Sequence, residues 1–262
     1  MNPGFGLGQE EWLFVGPGEG STNQSEVLAL PLGSGTCGLT IDPLPELLDG
    51  EGAFAALLEG LVTVCNAAED ERTHCFSLDP VLGAWVELIE PLSYEASGAE
   101  AISLPNGDMM ILGGYGYGTL TRTSIYSLET RTWMEGPEMP ISRAEFCAVS
   151  LNKTHTLVTG GGNENWVSES FIFDGASFHP IPAPQYLRSG AGCVLMASGG
   201  KVMVAGGMGP GGHDPDGRAL DSVEIYDVAS NSWSLGKKDL SEEVENVVKP
   251  KICQQVHRSP LD

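Results

Sequence analysis

The sequence predicts an all-β fold built from a repeat, and three observations carry that prediction. Two stretches, Met109 to Trp133 and Lys201 to Trp233, share one layout. In each, an apolar run stops at a glycine pair, Gly113-Gly114 or Gly206-Gly207. A tyrosine then precedes a tryptophan by six intervening residues, Tyr126 to Trp133 and Tyr226 to Trp233. A third stretch, His155 to Phe178, repeats the layout with Gly160, Gly161 and Gly162, and has Phe173 and Phe178 in the aromatic places. Each unit reads as strand, glycine turn, strand, short turn, strand. From Gly114 to Gly161 is 47 residues and from Gly161 to Gly207 is 46. A period of that length made of short strands marks a β-propeller, in which each repeat is a blade that cannot bury its faces alone.

Composition bounds the function. The 262 residues hold 13 Lys+Arg against 35 Asp+Glu, a net charge of −22. Such a chain repels phosphate backbones and anionic lipid, so neither nucleic acid nor a membrane surface is an expected partner. Basic peptides and cations are the charged partners that remain. No run of about 18 apolar residues occurs. The opening MNPGFGLGQEEW lacks the basic and apolar regions of a signal peptide, which leans the localisation toward the cytoplasm.

The pattern of an apolar strand, Gly-Gly, then Tyr-x6-Trp resembles the kelch-repeat family. Two full copies and one degenerate copy carry the resemblance. It implies a kelch-type β-propeller that presents its loops to a protein partner, as a substrate-recognition or scaffold part, with no catalysis and no cofactor. In that reading Gly113, Gly114, Gly160, Gly161, Gly206, Gly207, Tyr126, Trp133, Tyr226 and Trp233 are structural. Some propellers with kelch-like blades are copper oxidases, which need a Tyr/His/Cys ligand set. The second reading is therefore a carbohydrate- or copper-handling enzyme on the same fold.

Register then predicts about five four-stranded blades, the first incomplete at the N-terminus. Residues 1–10 are glycine-rich and read as disordered. Residues 11–237 are the propeller, and 238–262 a C-terminal tail. In the first blade, Trp12 to Val15 reads as a second strand, Val27 to Pro31 as the next and Thr36 to Ile41 as the outer one. In the second, Ala53 to Leu58 favours helix by propensity, but repeat register argues strand. Phe76 stands for its tyrosine and Trp85 for its tryptophan. The third, fourth and fifth blades cover about 98–136, 143–181 and 188–236. Asn106-Gly107 makes a tight turn between the first strands of the third blade. In the tail, Leu240, Val244, Val247 and Val248 follow helical spacing, and Lys251 to Val256 is expected to close the ring against Trp12 to Val15. Cys147, Cys193 and Cys253 would then occupy equivalent inner-strand sites as free thiols. Strands of separate blades are not expected within the roughly 7 Å between Cα atoms that a disulfide needs.

Few constellations carry chemistry. The glycine loops lack the following helix that phosphate binding requires, so they read as turns. Asp214 and Asp216 are too few carboxylates for calcium. His74 beside Cys65 and Cys75 does not complete a zinc set. Those two cysteines face each other across a hairpin and read as buried thiols in preference to a disulfide. No nucleophile–base–acid set appears, and no catalytic or metal residue is assigned. The loops joining second and third strands carry Tyr115, Tyr117, Trp166, Met208 and His213. Exposed aromatics on loops are typical interface anchors. Arg143 and Arg188 hold equivalent positions before two first strands. In a radial repeat they join a ring, placed to bind a partner's acids. The expected partner-binding residues are therefore Tyr115, Tyr117, Trp166, His213, Arg143 and Arg188.

Overall fold

A computed structural model describes residues 5–7, 10–15, 26–31, 42, 45, 52–79, 82–163, 165–196, 200–210 and 217–236, the first three segments by backbone alone. All regular structure among them is β-strand. The first sheet has three strands, β1 (Phe5–Leu7), β2 (Glu10–Val15) and β3 (Glu26–Pro31). The second blade is β4 (Phe54–Leu58), β5 (Leu61–Ala67), β6 (Thr73–Asp79) and β7 (Ala84–Glu87). The third is β8 (Glu100–Ser103), β9 (Met109–Leu112), β10 (Thr123–Ser127) and β11 (Thr132–Glu135). The fourth is β12 (Cys147–Ser150), β13 (Thr156–Thr159), β14 (Ser170–Phe173) and β15 (Phe178–Ile181). The fifth joins β16 (Gly192–Leu195), β17 (Lys201–Ala205), β20 (Val223–Asp227) and β21 (Ser232–Leu235). A small hairpin of β18 (Met208–Gly209) and β19 (Arg218–Ala219) interrupts it. Each blade is an antiparallel meander, and the first strands β4, β8, β12 and β16 neighbour one another around the centre.

The core lies between the blades. Met109 and Ile111 of β9 pack with Phe54, Leu92 and Tyr126. Met110 and Leu112, on the opposite face, pack with Phe146, Val158 and Phe173 of the fourth blade. A strand buried on both faces needs an unbroken apolar run, which is why each run before a glycine pair lacks polar alternation.

Tyr126 sits opposite Trp133 across the β10–β11 ladder with ring centroids 5.2 Å apart, and Tyr226 opposite Trp233 at 5.1 Å. The tyrosines are buried, whereas the tryptophans are half-buried. Each tryptophan reaches out of its own blade. Trp133 Nε1 donates to the carbonyl of Glu90 at 2.8 Å, and Trp233 Nε1 to that of Pro182 at 2.8 Å. The aromatic pair thus fastens an outer strand to the connector entering its blade.

Several expectations change. Trp85 pairs with Leu78, so Leu78 holds the tyrosine's place at the usual spacing and Phe76 does not. Residues 54–58 are a strand, as register argued. Residues 1–10, expected to be disordered, include β1 and the start of β2. Trp12, expected opposite the tail, lies opposite Phe5. The outer strand at 36–41 and the tail elements, 251–256 among them, lie outside the described residues.

The cysteines also differ from expectation. Cys65 and Cys75 are direct neighbours across β5 and β6, with Cα atoms 4.1 Å apart, and form a disulfide. Cys147 and Cys193 form another, between blades, with Cα atoms 6.1 Å apart. Cys147 pairs with Thr159 and Gly192 with Ala205, each residue preceding a glycine pair. Cys193 is therefore one step past the position of Cys147. One step reverses the face of a strand. Neighbouring blades present opposite faces to each other, so the offset turns the two sulfurs together. Equivalent sites would have turned them apart. Among the described residues no cysteine is free.

Candidate functional site

The site is built by what precedes each inner strand. Gly52, Gly98, Glu145 and Gly190 each stand two residues before β4, β8, β12 and β16. All four have left-handed backbone, with φ of +87°, +62°, +53° and +63°. Their main chains link in series. The Gly98 N–H donates to the Gly52 carbonyl at 2.9 Å, Glu145 to Gly98 at 2.7 Å, and Gly190 to Glu145 at 2.8 Å. Three members are glycine, which reaches positive φ without strain. Glu145 is the one member with a side chain, and it is exposed. Its carboxylate Oε2 accepts the Ser189 hydroxyl at 2.7 Å.

The glycine pairs hold this ring to the next layer. Ala144 and Gly162 exchange main-chain hydrogen bonds at 2.9 and 3.0 Å, and Ser189 and Met208 do so at 2.8 Å each. A Cβ at Gly161 would stand 2.6 Å from the Ala144 oxygen, and one at Gly207 2.5 Å from the Ser189 oxygen. The approach that brings the loops to the centre therefore requires glycine.

Over this ring opens a cleft of about 710 Å³. Its floor includes Gly52, Ser97, Gly98, Ala144, Glu145 and Ser189, and its walls include Tyr115, Thr119, Asn163, Asn165, Trp166 and Met208. Tyr115 is 54% exposed and Met208 39%. Trp166 is half-buried; its ring edge lies so near Gly217 that a Cβ there would stand 2.7 Å from it. Tyr115, Trp166 and Met208, drawn from three different blades, thus converge. Tyr117 does not. It is 94% exposed, outside the cleft lining, and donates its hydroxyl to Glu71 of the second blade at 2.6 Å. His213 lies outside the described residues.

The arginine expectation is overturned by burial. Arg143 and Arg188 are fully enclosed, at 0% and 2% exposure. Their guanidinium groups face inward. Arg143 Nη1 donates to the Gly160 carbonyl at 3.0 Å and Arg188 Nη1 to the Gly206 carbonyl at 2.8 Å. Their own carbonyls accept the Gly114 and Gly161 N–H groups of the preceding blades at 2.9 and 2.8 Å. Each arginine is a staple between two blades. Arg188 also makes a buried ion pair with Glu224 at 2.8 Å, and Glu224 accepts the Gln185 and Tyr186 N–H groups at 2.6 and 3.2 Å. By register, Phe171 stands in the fourth blade where Glu224 stands in the fifth. Arg143 meets that ring at 5.4 Å, and its Nε and Nη2 find no hydrogen-bond partner. Burial pulls Arg143 down to about 10, with Glu169 opposing the shift.

Glu100, half-buried on β8 two residues past Gly98, carries a carboxyl pushed up to about 8 by desolvation. The folded chain holds this proton more tightly than the unfolded chain does. The stability it contributes is therefore fully present below the ordinary carboxylate pKa of about 4.3 and is lost as pH rises toward 8. Replacing Glu100 by Gln is expected to remove that downward slope from urea midpoints measured across this window. An unchanged slope would place the titrating group elsewhere.

The remaining sequence candidates resolve plainly. Cys65 and Cys75 are spent on each other and offer zinc no thiolate. His74 contacts Glu87 at 2.7 Å and Asp70 at 3.2 Å. Burial opposes its charged ring, but these two carboxylates outweigh burial and hold His74 above its ordinary pKa. Asp214 and Asp216 lie outside the described residues. Sequence reasoning missed Glu145. The signal was present: aligning Arg143 with Arg188 sets Glu145 against Gly190, a charged residue in a glycine's place.

Comparison with known proteins agrees with this architecture. Residues 189–238 match the Kelch motif model. Kelch-like protein terF of Aspergillus terreus is 25% identical over 205 residues, covering 71% of this chain and 42% of its own length. An F-box/kelch-repeat protein of Arabidopsis thaliana is 25% identical over 182 residues, covering 65% of this chain and 50% of its own. The chain thus spans half the length, or less, of these relatives. The solved structure of YjhT superposes with a TM-score of 0.68 at 13% identity, over 88% of this chain and 81% of that one, and shares the fold. Residues 189–238 thus carry a Kelch motif, the relatives that match are kelch-repeat proteins, and the fold is a β-propeller.

Proposed function

We propose that this propeller is a non-catalytic binding module that presents its central cleft to a protein partner. The observation that carries the reading is the convergence of Tyr115, Trp166 and Met208 from three blades on one cleft. Large side chains with an apolar body supply contact area at a binding surface, and those near the centre of an interface dominate its energy. Tyr117 extends the same face at its rim. Arg143 and Arg188 play no part in contact, being enclosed. The enzyme alternative has no observation in its favour.

A photo-crosslinking amino acid at position 208 tests this, against the same probe at Val86, an exposed outer-strand position. In cells, position 208 is expected to yield discrete protein adducts that vanish with Tyr115→Ala plus Trp166→Ala, while Val86 yields none of them. Equal adducts from both positions would overturn the reading, as would stoichiometric copper or calcium in the purified chain.

A further inference from the structure

We propose that the partner inserts a cationic side chain, lysine or arginine, into the cleft, where Glu145 receives it. This rests on the binding-module reading above and names the chemistry of the partner.

The ring of left-handed residues supplies the first argument. Gly52, Gly98 and Gly190 show what the position requires of the backbone. Asn, Asp and His tolerate this region best, and the two other glutamates with such backbone, Glu59 and Glu71, stand in exposed turns outside the ring. Such strain persists at sites of function, where the surroundings hold it in place. Here the neighbours hold Glu145 by both main-chain bonds of the ring. The strained backbone delivers one carboxylate to the centre of the mouth.

Charge supplies the second argument. Among the described residues no lysine or arginine lines the cleft, and Glu145 is the one acidic side chain that does. The Ser189 hydroxyl fixes one carboxylate oxygen, and a carboxylate has roughly four acceptor sites, so capacity for a further donor remains. Ser189 is itself buried, which makes it a rigid support. Tyr115 and Trp166 line the same cleft, and a cation over an aromatic face is attracted by its quadrupole. A net charge of −22 draws cations toward the whole surface. An anionic anchor gains from none of these features, and an apolar one gains from the rings alone.

The test uses a phage library of random peptides panned on the full chain, with hits remade as fluorescent peptides for polarisation titrations. Hits that need the cleft are those lost with Tyr115→Ala plus Trp166→Ala. Each such hit is expected to contain a lysine or arginine whose change to Gln weakens binding about tenfold or more. Glu145→Gln is expected to weaken the parent peptide by a similar factor and the Gln-bearing peptide little further. Glu145→Gly, which suits the backbone, is expected to keep the melting temperature or raise it while losing affinity, and this separates binding from folding. Cleft-dependent hits without a basic residue, or a change under about twofold for both Glu145 variants, would overturn the cationic anchor and leave the module reading standing. A library that returns no cleft-dependent peptide would overturn both.

Discussion

Replacing Glu224 by Gln is expected to cost about 3–5 kcal/mol of stability, because it leaves Arg188 charged, enclosed and without its counter-ion. The carboxylate does more than pair. It accepts two N–H groups from the connector at Gln185 and Tyr186, so it fixes how the chain enters the fifth blade. Arg188 in turn holds the Gly206 carbonyl, the Ser222 carbonyl and the Ser222 hydroxyl. Loss of one ion therefore loosens a connector, a glycine turn and the start of β20. The measurement is a urea midpoint, read beside a variant in which Arg188 becomes Met and Glu224 becomes Leu. Removing both charges is expected to cost less than removing one, since a buried pair replaced by apolar groups is often nearly neutral. A single variant as stable as the parent would mean that water reaches this pair.

The second large effect is expected at Gly207. A side chain there meets two costs together. Its φ of +81° strains any L-residue by about 1–2 kcal/mol. Its Cβ would stand 2.5 Å from the Ser189 carbonyl oxygen, and such overpacking costs about 1–3 kcal/mol. Gly207→Ala is therefore expected to lose about 3 kcal/mol. Gly200 provides the control. Its φ is +72°, but a Cβ there meets nothing within 4 Å. Gly200→Ala should show the backbone cost alone, about 1–2 kcal/mol. Equal losses at both positions would show that the close approach of the Ser189 carbonyl contributes nothing.

The propeller was legible in the sequence because its signals are local. A glycine pair marks where one strand ends and another approaches, and a tyrosine separated from a tryptophan by six residues marks a pair that faces itself across a hairpin. Both survive in a linear reading. Blade two escaped part of it because Leu78 does the tyrosine's packing without the tyrosine's name. The site was legible by halves. Tyr115, Trp166 and Met208 were found as loop residues, and repeat geometry gathers them in one cleft. Arg143 and Arg188 were found as equivalent but read outward. Equivalence fixes radius and height, and says nothing of which way a long side chain points. The Cys147–Cys193 bond was missed for a similar reason. Alignment searches for equal positions, whereas facing strands of adjacent blades meet through positions one residue apart.

One radial position is filled in three ways by three blades. In the fifth, Arg188 meets Glu224 as a buried ion pair. In the fourth, Arg143 keeps the glycine carbonyl through Nη1, and the Phe171 ring stands where the carboxylate would. In the third, buried Ala96 holds the arginine's position and Ser124 the acid's, and the Tyr94 hydroxyl meets Ser124 at 2.9 Å. The polarity of this position therefore differs from blade to blade while the strand register around it does not.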